Sequence, residues 1–215
     1  MTNQIDFIDH PQLMLNPEFT SQLRSGYGYS YGFETQFQKQ VGRMKMNFAY
    51  TFSRTFRKIE EINQNRTYSP YYDRPHALNM NVQYIYSSRL ELGISWIYNS
   101  GSRFTAPTST YLFNGIPVPV YSQLNNSKLP DYHRADAQIT YHLPKSKNGH
   151  LNHFIKLSGT NLYNRLNAIG LNYNFAQNGN NFVIPFNSLK NHDFIATQSY
   201  VFGFMLSLNY TLKIN

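Results

Sequence analysis

The segment Tyr200–Lys213, YVFGFMLSLNYTLK, constrains the chain more than any other. Tyr200, Phe202, Phe204, Leu206, Leu208, Tyr210 and Leu212 recur at every second position, separated by Val201, Gly203, Met205, Ser207, Asn209, Thr211 and Lys213. An extended backbone turns successive side chains to opposite sides. One side is therefore continuously apolar and the other small or polar. Its length exceeds the ~5–6 residues of an ordinary strand. A tilted strand crossing a membrane needs about 9–11 residues, with aromatic rings near the two interfaces, the positions that Tyr200 and Tyr210 take. The expectation is a strand with lipid on its apolar side and water on the other.

The same period returns along the chain. Tyr27, Tyr29, Tyr31, Phe33 and Phe37 alternate with Gly28, Ser30, Gly32, Glu34, Gln36 and Gln38, and a tight turn over Gln40–Arg43 follows. Met44, Met46, Phe48, Tyr50 and Phe52 continue it, alternating with Lys45, Asn47, Ala49, Thr51 and Ser53. Further strands are predicted over His76–Tyr86, Leu90–Tyr98, Tyr132–His142 and Leu151–Asn161, making seven with the last. Residues 1–26, with Pro11 and Pro17 and no period, read as loop.

The connections carry a second pattern. Short turns near Gly42, Ser88 and Lys147 alternate with long polar loops over residues 57–75, 99–130 and 164–198. Outer-membrane barrels have short periplasmic turns and long extracellular loops. Two independent patterns thus agree, and a soluble β-sandwich has no reason for the second.

Composition sets the outer bounds. With 14% charged residues, 16% aromatic residues and a mean hydropathy of -0.50, the chain has no apolar run of about 20 residues that could span a membrane as a helix. A barrel needs none, because half of each strand is polar. Zero cysteines remove disulfides, thiol nucleophiles and cysteine metal sites. The net charge of +8 is scattered rather than clustered, which argues against nucleic acid as a partner. The opening MTNQIDFIDHPQ has neither the charged nor the apolar region of a signal peptide, so the expectation is that the start of the parent protein lies outside this chain.

Four segments resemble TonB-dependent outer-membrane receptors, in particular the Bacteroidetes type. They are Gly26–Glu34 (GYGYSYGFE), Tyr71–Asn79 (YYDRPHALN), Trp96–Gly101 with Phe104–Pro107 (WIYNSG, then FTAP), and Leu129–Asp136 (LPDYHRAD). They stand in family order. The resemblance implies an all-β fold, an antiparallel meander of about seven long strands forming the C-terminal part of a transmembrane barrel of about 22 strands. It implies residence in the bacterial outer membrane and uptake of a scarce ligand such as a siderophore, cobalamin or glycan. Residues 1–26 would be an extracellular loop remnant and 27–215 the barrel segment. Nothing in residues 1–26 matches the family's plug. The expected partners are outer-membrane lipid, the missing N-terminal barrel and plug, and TonB through that missing part alone.

A barrel wall cannot end on open edges in lipid, where each unpaired backbone group costs several kcal/mol. An odd seven strands therefore expects neighbours on both sides. Rival readings are a soluble or surface-anchored β-sandwich binding module, with carbohydrate as one ligand class, and an outer-membrane enzyme or small barrel of another kind.

Candidate chemistry is sparse. His142, His150 and His153 flank one turn without an acid or thiol nearby in sequence to complete a metal set. Arg134 and Asp136, two apart in a strand, point to one side as an ion pair. Asp73-Arg74-Pro75-His76 reads as a strand-entry element, Asp73 capping its own turn. No catalytic residue, metal ligand or cofactor is expected, and the chain is not read as an enzyme. Ring stacking from the long loops remains as the ligand contact, with Tyr71, Tyr72, Phe104 and Tyr111 as candidates.

Overall fold

The computed structural model describes residues 1–8, 19–114, 116–144, 151–174, 176–178, 181–183 and 195–214. In chain order the first strands are β1 (Gln4–Phe7), β2 (Leu23–Lys39), β3 (Met44–Ile59), β4 (His76–Ile85) and β5 (Leu90–Asn99). Four short ones follow: β6 (Arg103–Phe104), β7 (Ser109–Phe113), β8 (Ile116–Val120) and β9 (Ser127–Lys128). Then come β10 (Tyr132–His142) and β11 (Leu151–Thr160). The last are β12 (Ala168–Asn174), β13 (Ala176–Asn178), β14 (Asn181–Val183), β15 (Ile195–Tyr200) and β16 (Met205–Ile214).

One antiparallel sheet of eight strands, in the order β1-β2-β3-β4-β5-β10-β11-β16, dominates. The other strands form two-stranded ribbons: β6 with β9, β7 with β8, β12 with β15 and β13 with β14. In such a meander the connections alternate ends. The connections after β2, β4 and β10 lie at one end of the sheet, and those after β3, β5 and β11 at the other. The first turn works because Gly42 takes φ 89°, a left-handed conformation that glycine adopts without steric cost.

Register makes the faces continuous. Phe37 pairs with Phe48, which pairs with Met80, then Trp96, then Ala135. Two rows nearer the turns on the same face, Met44, Tyr84, Leu92, Ile139, Leu157 and Leu208 are linked across six strands. The opposite face carries Gln38, Asn47, Asn81, Ser95 and Asp136 in one row, and Lys45, Gln83, Gly93, Gln138, Ser158 and Ser207 in the next. A slip of one residue would exchange the faces, and none occurs along either row.

The apolar face is not covered. Tyr29, Phe33, Phe37, Ile94, Ile139, Leu157, Leu208 and Tyr210 are all exposed, Leu208 by 71%. Among the described residues the buried apolar side chains are Ile59, Ile62, Tyr68 and Ala106 with Pro70, and all of them stand at the end of the long connections. A soluble domain buries its apolar rows against a second layer. Here the described residues contain only narrow ribbons besides the one large sheet.

Four expectations need correction. Residues 1–26 are not all loop: β1 pairs with Leu23–Gly26 and adds an eighth strand, so the count is even. Two of the three long connections, those after β5 and β11, are more than loop, since they hold the four ribbons. The second predicted strand, observed as β3, extends past Phe52 to Ile59, because β2 is long enough to pair with it there. Tyr200–Lys213 is not one strand. Tyr200 ends β15, β16 begins at Met205, and the chain between them is held by side chains of the preceding loop. The part of the turn over 145–149 lies outside the described residues.

Candidate functional site at the long-connection end

Three of the four motif segments meet at the end of the sheet where the long connections lie. His76 starts β4, and its N–H donates to the Ser100 hydroxyl at 3.1 Å while its carbonyl accepts the Ser100 N–H at 2.8 Å. The next residue, Gly101, donates its N–H to Asp131 at 2.9 Å, and Tyr98 donates its hydroxyl to the other oxygen of that carboxylate at 2.8 Å. Arg103 and Leu129 extend the contact through backbone bonds to Tyr71 and Ser102. Ser100 is 2% exposed, so these polar groups satisfy one another away from water, as buried polar groups must.

Three aspartates act as acceptors at this rim. Asp73 takes the Thr55 N–H at 2.8 Å, Asp131 takes that of Gly101, and Asp136 takes that of Asn161 at 2.8 Å. Asp73 and Asp136 thereby each tie a connection to a strand, and Asp131 joins the two ends of the connection between β5 and β10. Asp73 does not cap its own turn with its side chain, as the sequence suggested. Its carboxylate reaches β3, where Arg54 Nε stands 3.4 Å away without hydrogen-bond alignment. The cause is burial: an acceptor 2% exposed has to find its donors inside the protein.

Electrostatics follow the same contacts. Lys128 at 2.6 Å, and then the Gly101 N–H, hold the Asp131 carboxyl down to about 2. Burial, and then the Asp6 carboxylate that accepts its hydroxyl at 2.9 Å, push Tyr68 above the usual phenol range. Arg57 lies 3.4 Å from Asp6 and closes this cluster.

Beyond Asp136 the grip passes to asparagines. Asn161 is 1% exposed with φ 57°, a left-handed conformation that asparagine tolerates. Its amide accepts from the Arg165 N–H at 3.1 Å and donates to the Arg165 carbonyl at 2.9 Å. Asn164 accepts the Phe204 N–H at 2.8 Å, which fixes the start of β16.

The candidate ligand-contact rings sit on this rim at different places. Tyr71 and Tyr72 meet edge to face with centroids 5.3 Å apart, and Tyr71 is 68% exposed. Arg57 lies over the Tyr72 ring, 5.4 Å from its centroid, and donates to its hydroxyl at 3.2 Å. Phe104 is half-buried next to Arg103, whose N–H donates to the Tyr71 carbonyl. Tyr111 stands exposed on the β7–β8 ribbon. The structure thus brings Tyr71, Tyr72 and the segment of Phe104 together and sets Tyr111 apart on its own hairpin.

The histidines do not form one site. His142 faces the polar side and lies 3.2 Å from Glu91, whereas His153 faces the apolar side at 3.1 Å from the Tyr210 hydroxyl. Glu91 is an acid near His142 that sequence distance concealed. His150 lies outside the described residues. Among the described residues no three potential ligands gather for a metal. Arg134 and Asp136 do pair, at 2.9 Å.

A second feature lies on the polar face. Across β3, β4, β5, β10 and β11 that face is concave and holds a recess of about 540 Å3, toward which Lys45, Gln83, Gln138, Lys156 and Ser158 contribute. Alternation alone puts each of these on the polar side. No single strand reveals that residues as far apart in the sheet as Lys45 and Lys156 share one hollow. Comparison with protein-family models, with curated proteins and with solved structures returns no match.

Proposed function

We propose that the chain forms part of the wall of a TonB-dependent outer-membrane receptor of the Bacteroidetes type, one that takes up a scarce ligand. One observation carries the reading: the apolar face of the large sheet is exposed along its whole width while the polar face is concave. That is the burial pattern of a membrane barrel, inverted relative to a soluble domain. The rows on this face add support. Aromatic and histidine rings (Tyr50, Tyr98, His133) lie toward the long connections, aliphatic side chains (Val82, Ile94, Leu157) in the middle, and Tyr141 and Tyr210 toward the turns. Rings at both ends of an aliphatic band match the girdles at the two lipid interfaces.

The edges define what else the wall requires. Among the described residues, β2 is paired on its outer side only over Leu23–Gly26 by β1, apart from the contact of Met1 with Gly28. β16 pairs with β11 and, among the described residues, with no other strand. In hydrocarbon those open ladders would have to be met by further strands, which the remaining barrel of such a receptor would supply, with its plug and its contact to TonB. The long connections would face outward, presenting Tyr71, Tyr72 and Tyr111 to the ligand. Its role is transport and not catalysis.

Flotation tests this directly. The chain refolded with phospholipid vesicles should float with them through a density gradient and resist alkaline extraction. Recovery as a soluble monomer without detergent would contradict the proposal.

A further inference from the structure

We propose that the short-turn end of the large sheet rests in a lipid leaflet of anionic headgroups, with Lys39, Arg43 and Arg89 meeting the lipid phosphates. The inference rests on the reading of the sheet as a membrane wall and names the lipid class that one of its two rims selects.

Charge is divided unequally between the two ends of the strands. The segments 38–47, 84–92 and 140–156, which hold the short turns and the strand ends beside them, contain Glu91 and no other acid. The long-connection end carries Asp6, Glu60, Glu61, Asp73, Asp131 and Asp136, and all but Glu60 have an Arg or Lys as ion-pair partner. Glu91 does not balance the turns. It lies on the polar face, where the Gln83 amide donates to it at 2.7 Å and His142 stands at 3.2 Å. Lys39, Arg43 and Arg89 are exposed, and among the described residues none of them makes an ion pair.

Their place beside the apolar face points to the counterion. Arg43 precedes Met44, which is opposite Tyr84, and its carbonyl accepts the Ile85 N–H at 2.8 Å. Arg89 precedes Leu90, which is opposite Tyr141, and its carbonyl accepts the His142 N–H at 2.7 Å. Both arginines thus stand where the rings of the apolar face give out, the level at which lipid headgroups begin. Lys39 is the last residue of β2, on the apolar face opposite Met46. A lysine in that place lays its stem along apolar surface and carries its ammonium to the polar layer. A layer of phosphates answers all three cations, and no single anion has to touch two of them. Each Lys or Arg near an anionic surface strengthens binding roughly fivefold. The attraction decays within a Debye length, about 10 Å at 0.1 M salt, so cations on connections that project beyond the wall gain little from it.

The test is flotation of the refolded chain with vesicles of phosphatidylcholine alone and of phosphatidylcholine with about 30% phosphatidylglycerol. At about 0.1 M salt the parent should partition at least about tenfold more strongly into the anionic vesicles, and about 0.5 M salt should erase most of that preference. Arg43→Gln combined with Arg89→Gln should cut the preference by at least about fivefold. The charge-matched control is Arg66→Gln combined with Arg74→Gln, two exposed residues of the connection after β3, and it should change the preference less than about twofold. Equal partition of parent and variants into phosphatidylcholine checks that all of them fold and insert, and the salt dependence of the parent needs no variant. Excess glycerol phosphate at constant ionic strength should leave the preference intact. Equal losses in the two double variants would reduce the effect to net charge, and displacement by glycerol phosphate would assign it to a soluble anion. Either result overturns the proposal. Equal entry of the parent into both kinds of vesicle overturns it too and leaves the wall reading standing, whereas failure to float with either removes both.

Discussion

Asp131 and Gly101 lie 30 residues apart in sequence, and the carboxylate of the first accepts the backbone N–H of the second at 2.9 Å. That bond fastens the exit of β5 to the entry of β10 across the whole of the intervening loop. It also explains why Gly101 is glycine. A Cβ there would collide with the Leu129 carbonyl, a backbone group that cannot swing aside. Replacing Gly101 by Ala should therefore open the rim and lower the thermal midpoint, whereas Gly93→Ala should be tolerated, since it meets only the flexible Gln138 arm. Equal effects of the two, measured by thermal unfolding in detergent, would refute this account of the rim.

Asp73 should be the most costly of the rim aspartates to remove. Its side chain is 1% exposed, accepts the Thr55 N–H and faces Arg54. Asp73→Ala leaves a buried donor and a half-buried cation without a counterpart, at about 2–4 kcal/mol. Lys128→Ala breaks only a surface pair, worth about 0–1 kcal/mol. Denaturant titration of the two variants checks the order.

Acid should loosen the same end. The Asp131 carboxyl is depressed from 3.8 to about 2 in the folded chain. A depressed carboxyl contributes stability that is complete above its unfolded value and lost as pH falls through the folded one. The loss therefore falls between about pH 4 and pH 2. Asp131→Asn should show a smaller fall in thermal midpoint over that window than the parent, and identical curves would contradict the assignment.

Charge placed on the two faces should act oppositely. Ile94 and Ser95 are consecutive in β5 and point to opposite sides, Ile94 exposed on the apolar face and Ser95 beside Asp136 in the recess. In a bilayer, Ile94→Lys should cost about 2–4 kcal/mol if it lies near the midplane. Ser95→Lys, next to a carboxylate, should cost little. Folding equilibria in vesicles measure both. A sheet facing water would make Ile94→Lys neutral.

Much of the fold was legible from alternation, because a period of two survives wherever one face meets a single medium. Each of the seven stretches from Tyr27 onward contributes a strand to the large sheet, the last of them only from Met205 on. What failed was decided by partners distant in sequence. β1 is too short and mixed to signal itself, and is a strand because Leu23–Gly26 of β2 offers it an edge. The break between Tyr200 and Met205 arises where Asn164 takes the Phe204 N–H and Asn161 reaches the Phe202 carbonyl, a side-chain grip that overrides local pattern. The rim was partly visible. Arg134 with Asp136 followed from spacing, whereas the reach of Asp73 to Thr55 and of Asp131 to Gly101 depends on which strands become neighbours. The four candidate rings followed from loop composition, which says nothing of their mutual positions.

Trp96 is the only tryptophan in the chain and sits mid-strand on the apolar face, between Met80 and Ala135. Its fluorescence in vesicles whose acyl chains carry bromine near the bilayer centre tests most directly whether that face meets lipid. The account predicts strong quenching by the brominated chains and little by aqueous iodide. Quenching by iodide with none from the lipid would place the face in water and contradict it.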